Sequence, residues 1–132
     1  MQKGALRSIR VLGLLLGLVL LAACTGRGGG GGGGGGIVIV AKRGAFEFVP
    51  ANVTAPLNVA TTITLQNPDS QIHDWTIDSI PVGGTPQRIH LVADPGRTVR
   101  QTFTFTQAGT YRVYCSQPGH TEAGMVGQLT VQ

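Results

Sequence analysis

Short runs of alternating apolar and polar residues dominate the chain from residue 37 onward. In the run Thr98 to Phe105, the apolar residues Val99, Phe103 and Phe105 share one parity and polar residues occupy the other. This pattern is typical of a half-buried strand. Similar short runs predict further strands at Ile37 to Val40, Phe46 to Val49, Thr61 to Asn67, His73 to Ile77, Arg88 to Val92, Gly109 to Cys115 and Gly127 to Val131.

Residues that favour turns separate these runs. The segments Asn67-Pro68-Asp69, Val82-Gly83-Gly84 and Asp94-Pro95-Gly96 are turns by composition. No useful window beyond the N-terminal segment has the periodicity of a helix. About eight short strands at this spacing predict an all-β fold, an antiparallel β-sandwich or barrel.

The N-terminal segment has the pattern of an export signal. Residues 1–10 carry Lys3, Arg7 and Arg10, and an eleven-residue apolar run follows from Val11 to Leu21. That run is shorter than the roughly 20 residues a transmembrane helix needs. Residues 21–24, Leu-Ala-Ala-Cys, resemble the bacterial lipobox, which implies removal of residues 1–23 and lipidation of Cys24. The alternatives are an ordinary signal peptide with a chance cysteine or an uncleaved anchor, and every alternative places the domain outside the cytoplasmic membrane.

A glycine-rich linker follows Cys24. Gly28 to Gly36 are nine consecutive glycines, and such a stretch behaves as a flexible coil with a root-mean-square reach of about 20 Å over a dozen residues. Residues 24–36 are therefore predicted to tether one folded domain, residues 37–132, to a lipid surface at the periplasmic or extracellular face.

Length and charge exclude several classes of protein. The 132 residues fit a single domain. The formal charge of +4 depends on three of the ten basic residues lying in the first ten positions. Without that stretch, seven basic residues face six acidic ones, and the basic residues are scattered. The charge pattern therefore predicts no nucleic-acid partner.

The two cysteines of the chain have different predicted roles, and the second one, Cys115, begins a loop with candidate metal ligands. If Cys24 carries lipid, Cys115 is the one thiol of the exported domain, so an internal disulfide is excluded. Cys115 alone could be a small buried hydrophobe. However, His120 and Met125 follow it on one strand-to-strand loop. A thiolate, an imidazole and a thioether together are soft ligands suited to copper.

A further ligand has to come from the other histidines. His90 alternates with apolar residues in a predicted strand and is interpreted as a solvated strand residue. His73 begins a predicted strand directly after a turn, so a position beside the later loop is expected. His73, Cys115 and His120 would form the trigonal set of a blue copper site, with Met125 as the weak axial ligand. Each residue alone could have a purely structural role.

The spacing Cys115-x4-His120-x4-Met125, with His73 upstream, resembles the cupredoxin family of type 1 blue copper proteins. It is most similar to the auracyanins, with plastocyanins and azurins as wider relatives. The resemblance implies a Greek-key β-sandwich of about eight strands with one mononuclear copper ion at one end. Asp74 stands where the family usually has Asn. The backbone there commonly supports the Cys sulfur, and a carboxylate would lower the reduction potential.

These features together predict an electron carrier rather than an enzyme. With four positions taken by protein ligands, no position is open for a substrate. The resemblance implies redox partner proteins: a quinol-oxidising complex as donor, and a photosynthetic reaction centre or terminal oxidase as acceptor. Small or apolar residues around His120 predict a docking patch, and Tyr114 resembles a second electron port of plastocyanins. The alternatives are a copper-trafficking lipoprotein of the same fold and a metal-free adhesive β-sandwich.

Overall fold

The computed structural model describes residues 36–132, which form nine strands in two sheets. The predicted signal peptide, Cys24 and the linker up to residue 35 lie outside the described residues. Within residues 36–132, no helix has the length and apolar character needed to cross a membrane. The strands are β1 (Gly36–Ala41), β2 (Phe48–Val49), β3 (Asn52–Ala55), β4 (Ala60–Gln66), β5 (His73–Val82), β6 (Thr85–Ala93), β7 (Thr98–Thr104), β8 (Gly109–Tyr114) and β9 (Val126–Val131).

The two sheets have the orders β2-β1-β4-β7 and β3-β9-β8-β5-β6. The predicted all-β sandwich is confirmed, with nine strands in place of about eight. The prediction of antiparallel pairing is wrong for two pairs, since β1 with β4 and β3 with β9 are parallel. The sequence prediction missed β3, because this four-residue strand lies between Pro50 and Pro56 and carries little alternation.

The core lies between the sheets and follows the alternation along each strand. In β6, Ile89 and Leu91 are buried while Arg88 and His90 between and beside them are exposed. The same period of two appears in β9, where Leu129 is buried. The largest buried apolar side chains of the core are Trp75, Phe48, Phe105, Ile39, Ile63, Leu65, Ile77, Ile80, Met125 and Leu129.

The first five residues of β5, His73 to Ile77, are all buried. The odd-numbered residues of this run share the parity of Trp75, which belongs to the core, whereas Asp74 and Thr76 belong to the opposite face. β5 lies between β8 and β6 in its sheet. The start of β5 is therefore placed beside the loop that leaves β8.

Candidate metal centre

One loop, residues 115–125, joins β8 to β9 and carries three of the predicted ligands. Cys115 directly follows β8 and Met125 directly precedes β9. The Cys115 N–H donates to the Met125 carbonyl at 3.0 Å, and the Met125 N–H donates to the His120 carbonyl at 2.9 Å. Gly119, immediately before His120, has φ of 83°, a conformation that L side chains rarely adopt. The loop is thus closed by its own backbone and presents three residues at its base and centre.

The structure brings His73 to the same place as this loop. Nitrogen or sulfur atoms of His73, Cys115 and His120 all lie within 4.8 Å of one another. The Cys115 Sγ lies 3.4 Å from Nδ1 of His120, and the two imidazole centroids are 4.9 Å apart. All three residues are buried, and so is Met125. Water therefore has little access to this cluster.

Asp74 connects β5 to the start of the loop. Its N–H donates to the Cys115 Sγ at 3.3 Å, so the backbone support expected from the resemblance is present. Its carboxylate accepts hydrogen bonds from the Thr76 hydroxyl at 2.7 Å and the Ser116 N–H at 2.8 Å. It also accepts from the Ser116 hydroxyl and the Gln117 side-chain amide, both at 2.9 Å. Burial raises the pKa of Asp74, but these hydrogen bonds outweigh burial and hold the pKa below its ordinary value.

Asp69 forms a second carboxylate contact beside the cluster. Its Oδ2 lies 3.1 Å from Nε2 of His73, and both side chains are buried. The other ring nitrogen of His73, Nδ1, is buried and has no hydrogen-bond partner. Buried polar atoms nearly always have a hydrogen-bond partner. The absence of a partner for Nδ1 therefore indicates that this nitrogen binds a ligand.

The protonation states of the cluster follow from its burial. Burial raises the pKa of the Cys115 thiol above its ordinary value. Burial lowers the pKa of His120, and the neighbouring imidazole lowers it further. Near neutral pH the metal-free chain therefore holds a protonated thiol and a neutral His120 imidazole. Binding of a metal ion must displace the Cys115 proton, whereas His120 offers its lone pair directly.

These residues fit a copper ion. Two imidazoles and one thiolate in a buried cluster, with a methionine on the same loop, are the donor set of blue copper sites. The orphaned Nδ1 of His73 adds a lone pair with no other partner in the described chain. Asp74 and Asp69 supply the surrounding hydrogen bonds that metal sites commonly have.

Other predicted residues lie around the cluster rather than in it. His90 is on β6 with a side chain 38% exposed, as expected of a solvated strand residue, and its Nε2 is 3.7 Å from Oδ2 of Asp74. The Tyr114 hydroxyl donates to the Asp78 carboxylate, and Arg112 lies over its ring with 5.1 Å to the centroid. His120 is 6% exposed, so only a small part of it is available at the predicted docking patch.

Two residues that contact the predicted ligands were not expected from the sequence. Asp69 was interpreted only as part of a turn, yet it contacts His73. Phe46 lies against the ring of His120, with centroids 4.7 Å apart, and is itself 38% exposed. The position of Asp69, four residues before a ligand histidine, is a weak signal for its role. No local sequence pattern indicates the contact of Phe46 with His120.

Comparisons with known proteins agree with this geometry. The family model described as copper binding proteins of the plastocyanin/azurin family matches residues 36–132. Plastocyanin of Rumex obtusifolius is 33% identical over 96 residues, which cover 67% of this chain and 91% of that protein. The copper-resistant cuproprotein CopI of Pseudomonas aeruginosa is 50% identical over 42 residues, but these cover 32% of this chain and only 23% of that protein.

A solved structure has the same fold. Auracyanin A, a "blue" copper protein of the green thermophilic photosynthetic bacterium Chloroflexus aurantiacus, superposes with a TM-score of 0.64 at 25% identity. The match covers 76% of this chain and 100% of auracyanin A. The resemblance noted in the sequence is thereby confirmed at the level of the fold.

Proposed function

Because the chain belongs to the plastocyanin/azurin family of copper-binding proteins, we propose that it carries single electrons as a membrane-tethered blue copper protein. The family binds one type 1 copper ion. The observation that carries the proposal is the buried cluster of His73, Cys115 and His120, with donor atoms within 4.8 Å and Met125 closing the loop. Copper bound there would supply a one-electron couple between Cu(I) and Cu(II).

The chain's own residues suit electron transfer by holding the donor atoms still. Cys115 is fixed by the N–H of Asp74 and by its own backbone bond to Met125. His73 is fixed by Asp69, and the ring of His120 packs against Phe46. Donors held in this way move little when the charge of the site changes, which keeps the cost of electron transfer low. Their burial also keeps substrates and water from reaching the site, which favours a carrier over an enzyme.

Electrons would enter and leave near His120 and Tyr114. Phe46, 38% exposed, lies over the His120 ring and extends the apolar surface there. Tyr114 precedes Cys115 in the chain and is partly exposed. We expect docking to be brief and small, below about 1,200 Å² of buried surface, as in other redox encounters. The proposed donor is a quinol-oxidising complex, and the proposed acceptor is a reaction centre or terminal oxidase.

The visible absorption spectrum tests the electron-carrier proposal. The chain is loaded with Cu(II), reduced with ascorbate and reoxidised. An intense thiolate-to-copper band that bleaches and returns supports the proposal. Cys115→Ser is the matched control and should lose the band while leaving the two histidines in place. Copper binding without the band, or binding of Cu(I) alone, would contradict it.

The tether is tested separately. The sequence Leu-Ala-Ala-Cys at 21–24 and the nine following glycines support attachment of lipid at Cys24. Cells fed a labelled fatty acid should incorporate the label into the wild-type chain but not into Cys24→Ser. Label retained by the variant would contradict lipidation at this residue.

One observation favours a second candidate, a copper-trafficking or copper-sequestering lipoprotein of the same fold. A stretch of 42 residues is 50% identical to a protein named for copper resistance. This candidate predicts tight Cu(I) binding and slow or absent reoxidation. Reoxidation of the copper-loaded chain by a soluble electron acceptor therefore separates the two candidates.

A further inference from the structure

The contact between Asp69 and His73 determines which ring nitrogen of His73 carries a proton. A carboxylate can only accept hydrogen bonds, so Nε2 of His73, 3.1 Å from Oδ2 of Asp69, must be the donor. In a neutral imidazole this leaves the lone pair on Nδ1. Nδ1 is buried without a hydrogen-bond partner. Asp69 thus holds His73 in the tautomer that can bind a metal ion from inside the cluster.

A braced turn puts Asp69 in position before any metal binds. Its N–H donates to the side-chain oxygen of Asn67 at 3.0 Å, and its Oδ1 accepts from the Ser70 N–H at 2.7 Å. The side-chain amide of Asn67, which is 1% exposed, donates to the carbonyls of Gln71 at 2.7 Å and Ala93 at 2.8 Å. Oδ1 is therefore used within the turn and Oδ2 is left for His73.

We propose that Asp69 is a positioning residue of the copper centre that fixes the tautomer of His73 and, through its charge, favours Cu(II) over Cu(I). This rests on the proposed copper site. A carboxylate behind a ligand imidazole makes that imidazole a stronger donor. Its negative charge also stabilises a doubly charged ion more than a singly charged one. Asp69 therefore lowers the reduction potential and directs the carrier towards partners of lower potential.

Asp69 and Asp74 flank His73 in the chain, and their two negative charges add near the proposed copper site. The two carboxylates are at positions −4 and +1 relative to His73, and both are buried. They act by different contacts, since Asp74 bonds to the start of the 115–125 loop and Asp69 bonds to the imidazole itself. The role of Asp69 can therefore be tested without disturbing the loop.

The first experiment is performed on the metal-free protein. Imidazole nitrogen shifts measured by NMR report the tautomer of His73 in the wild type, Asp69→Asn, Asp69→Ala and the control Asp78→Asn. The control removes a carboxylate that is 72% exposed and lies five residues beyond His73 along β5. We expect a proton on Nε2 in the wild type, in Asp69→Asn, whose amide oxygen can still accept, and in the control. Asp69→Ala should populate both tautomers. A proton on Nδ1 in the wild type, or an unchanged tautomer in Asp69→Ala, overturns the positioning role.

The second experiment measures the affinities for Cu(II) and Cu(I) and the reduction potential. Asp69→Asn keeps the acceptor but removes the charge, and we expect its Cu(II)-to-Cu(I) affinity ratio to fall about tenfold, the lower end of effects on metal sites from such partners. A tenfold change equals about 59 mV for one electron, so the potential should rise by that amount. A ratio within twofold of the wild type, or an equal change in the control Asp78→Asn, overturns the effect of charge.

The two experiments separate failure of this inference from failure of the proposed function. A wild-type chain that binds no copper overturns the proposed function and the effect on potential, while the NMR measurement still decides the tautomer. If Asp69→Ala does not fold, Asp69→Leu takes its place, because leucine fills the volume without offering a hydrogen-bond acceptor. An unchanged tautomer in Asp69→Leu then overturns the positioning role.

Discussion

Asp74 offers the sharpest test of how the ligand loop is held, because its carboxylate alone joins β5 to Ser116 and Gln117. The perturbation is a pair of substitutions, Asp74→Asn and Asp74→Ala, in the metal-free chain. Asparagine keeps the shape and one acceptor oxygen but removes the charge. Alanine removes all four hydrogen bonds that the carboxylate accepts. We expect both variants to be less stable than the wild type, alanine more so.

The expected loss of unfolding free energy depends on which hydrogen-bond donors lose their acceptor. The Thr76 hydroxyl is 0% exposed, and the Ser116 N–H bond is part-buried, so neither donor is easily hydrated in Asp74→Ala. A buried donor left unsatisfied costs about 1–3 kcal/mol, which gives about 2–6 kcal/mol for the two. In Asp74→Asn the remaining oxygen can serve both donors, and the loss is the difference between charged and neutral hydrogen bonds, about 1–3 kcal/mol in total.

The assay is denaturant unfolding of the metal-free chain at a series of pH values, with Asp94→Asn as the matched control. Hydrogen bonds hold the pKa of Asp74 below its ordinary value. A carboxyl with a lowered folded-state pKa stabilises the protein above its unfolded pKa of about 3.9, and that contribution is lost as the pH falls through the folded value. The gap between wild type and Asp74→Asn should therefore be full near pH 7 and close below about pH 4.

Two results would refute this reasoning. One is an Asp74→Ala variant as stable as the wild type near neutral pH, because the four hydrogen bonds would then contribute nothing. The other is a gap between wild type and Asp74→Asn that persists unchanged in acid, because the charge would then not be its source. Residual acid sensitivity of Asp74→Asn is expected from Asp69, whose pKa is also lowered, chiefly by its hydrogen bond to His73.

Three further predictions concern packing, shielding and association. A Cβ at Gly127 would lie 2.0 Å from the carbonyl oxygen of Ala51, so Gly127→Ala should destabilise the chain by about 3 kcal/mol or more; an unfolding midpoint equal to that of the wild type would count against this contact. Phe46→Ala should expose His120 and speed copper loss to a chelator about tenfold; an unchanged rate would show that Phe46 shields nothing. Residues 36–132 carry six basic and six acidic side chains, so electron transfer with a partner should depend weakly on ionic strength; a steep fall with added salt would contradict this.

Features that depend on a local pattern could be predicted from the sequence. The alternation around Phe103 predicted β7, and the spacing of Cys115, His120 and Met125 on one loop predicted three members of the site. His73 was assigned because His90 has the pattern of a solvated strand residue and because a strand was predicted to begin at His73 directly after a turn. In the structure β5 begins at His73.

Features that depend on long-range pairing could not be predicted in this way. The parallel ladder of β1 with β4 joins residues about 26 positions apart, such as Ile37 and Ile63, and alternation is identical in parallel and antiparallel strands. Asp69 occupies a turn that its composition already explains, and its position four residues before His73 is only a weak signal that the two side chains meet. Phe46 is far from His120 in sequence and meets it only in the folded chain.

The loop between Cys115 and Met125 is closed by the backbone of its two end residues. The N–H of Cys115 donates to the carbonyl of Met125 at its base, next to the pair formed by Tyr114 and Val126, so the register of β8 with β9 is fixed where the loop begins and ends. His73 and its two flanking aspartates belong to a separate strand and turn. Substitutions within the loop can therefore change the surroundings of the metal ligands, and with them the reduction potential, while the core between the two sheets stays the same.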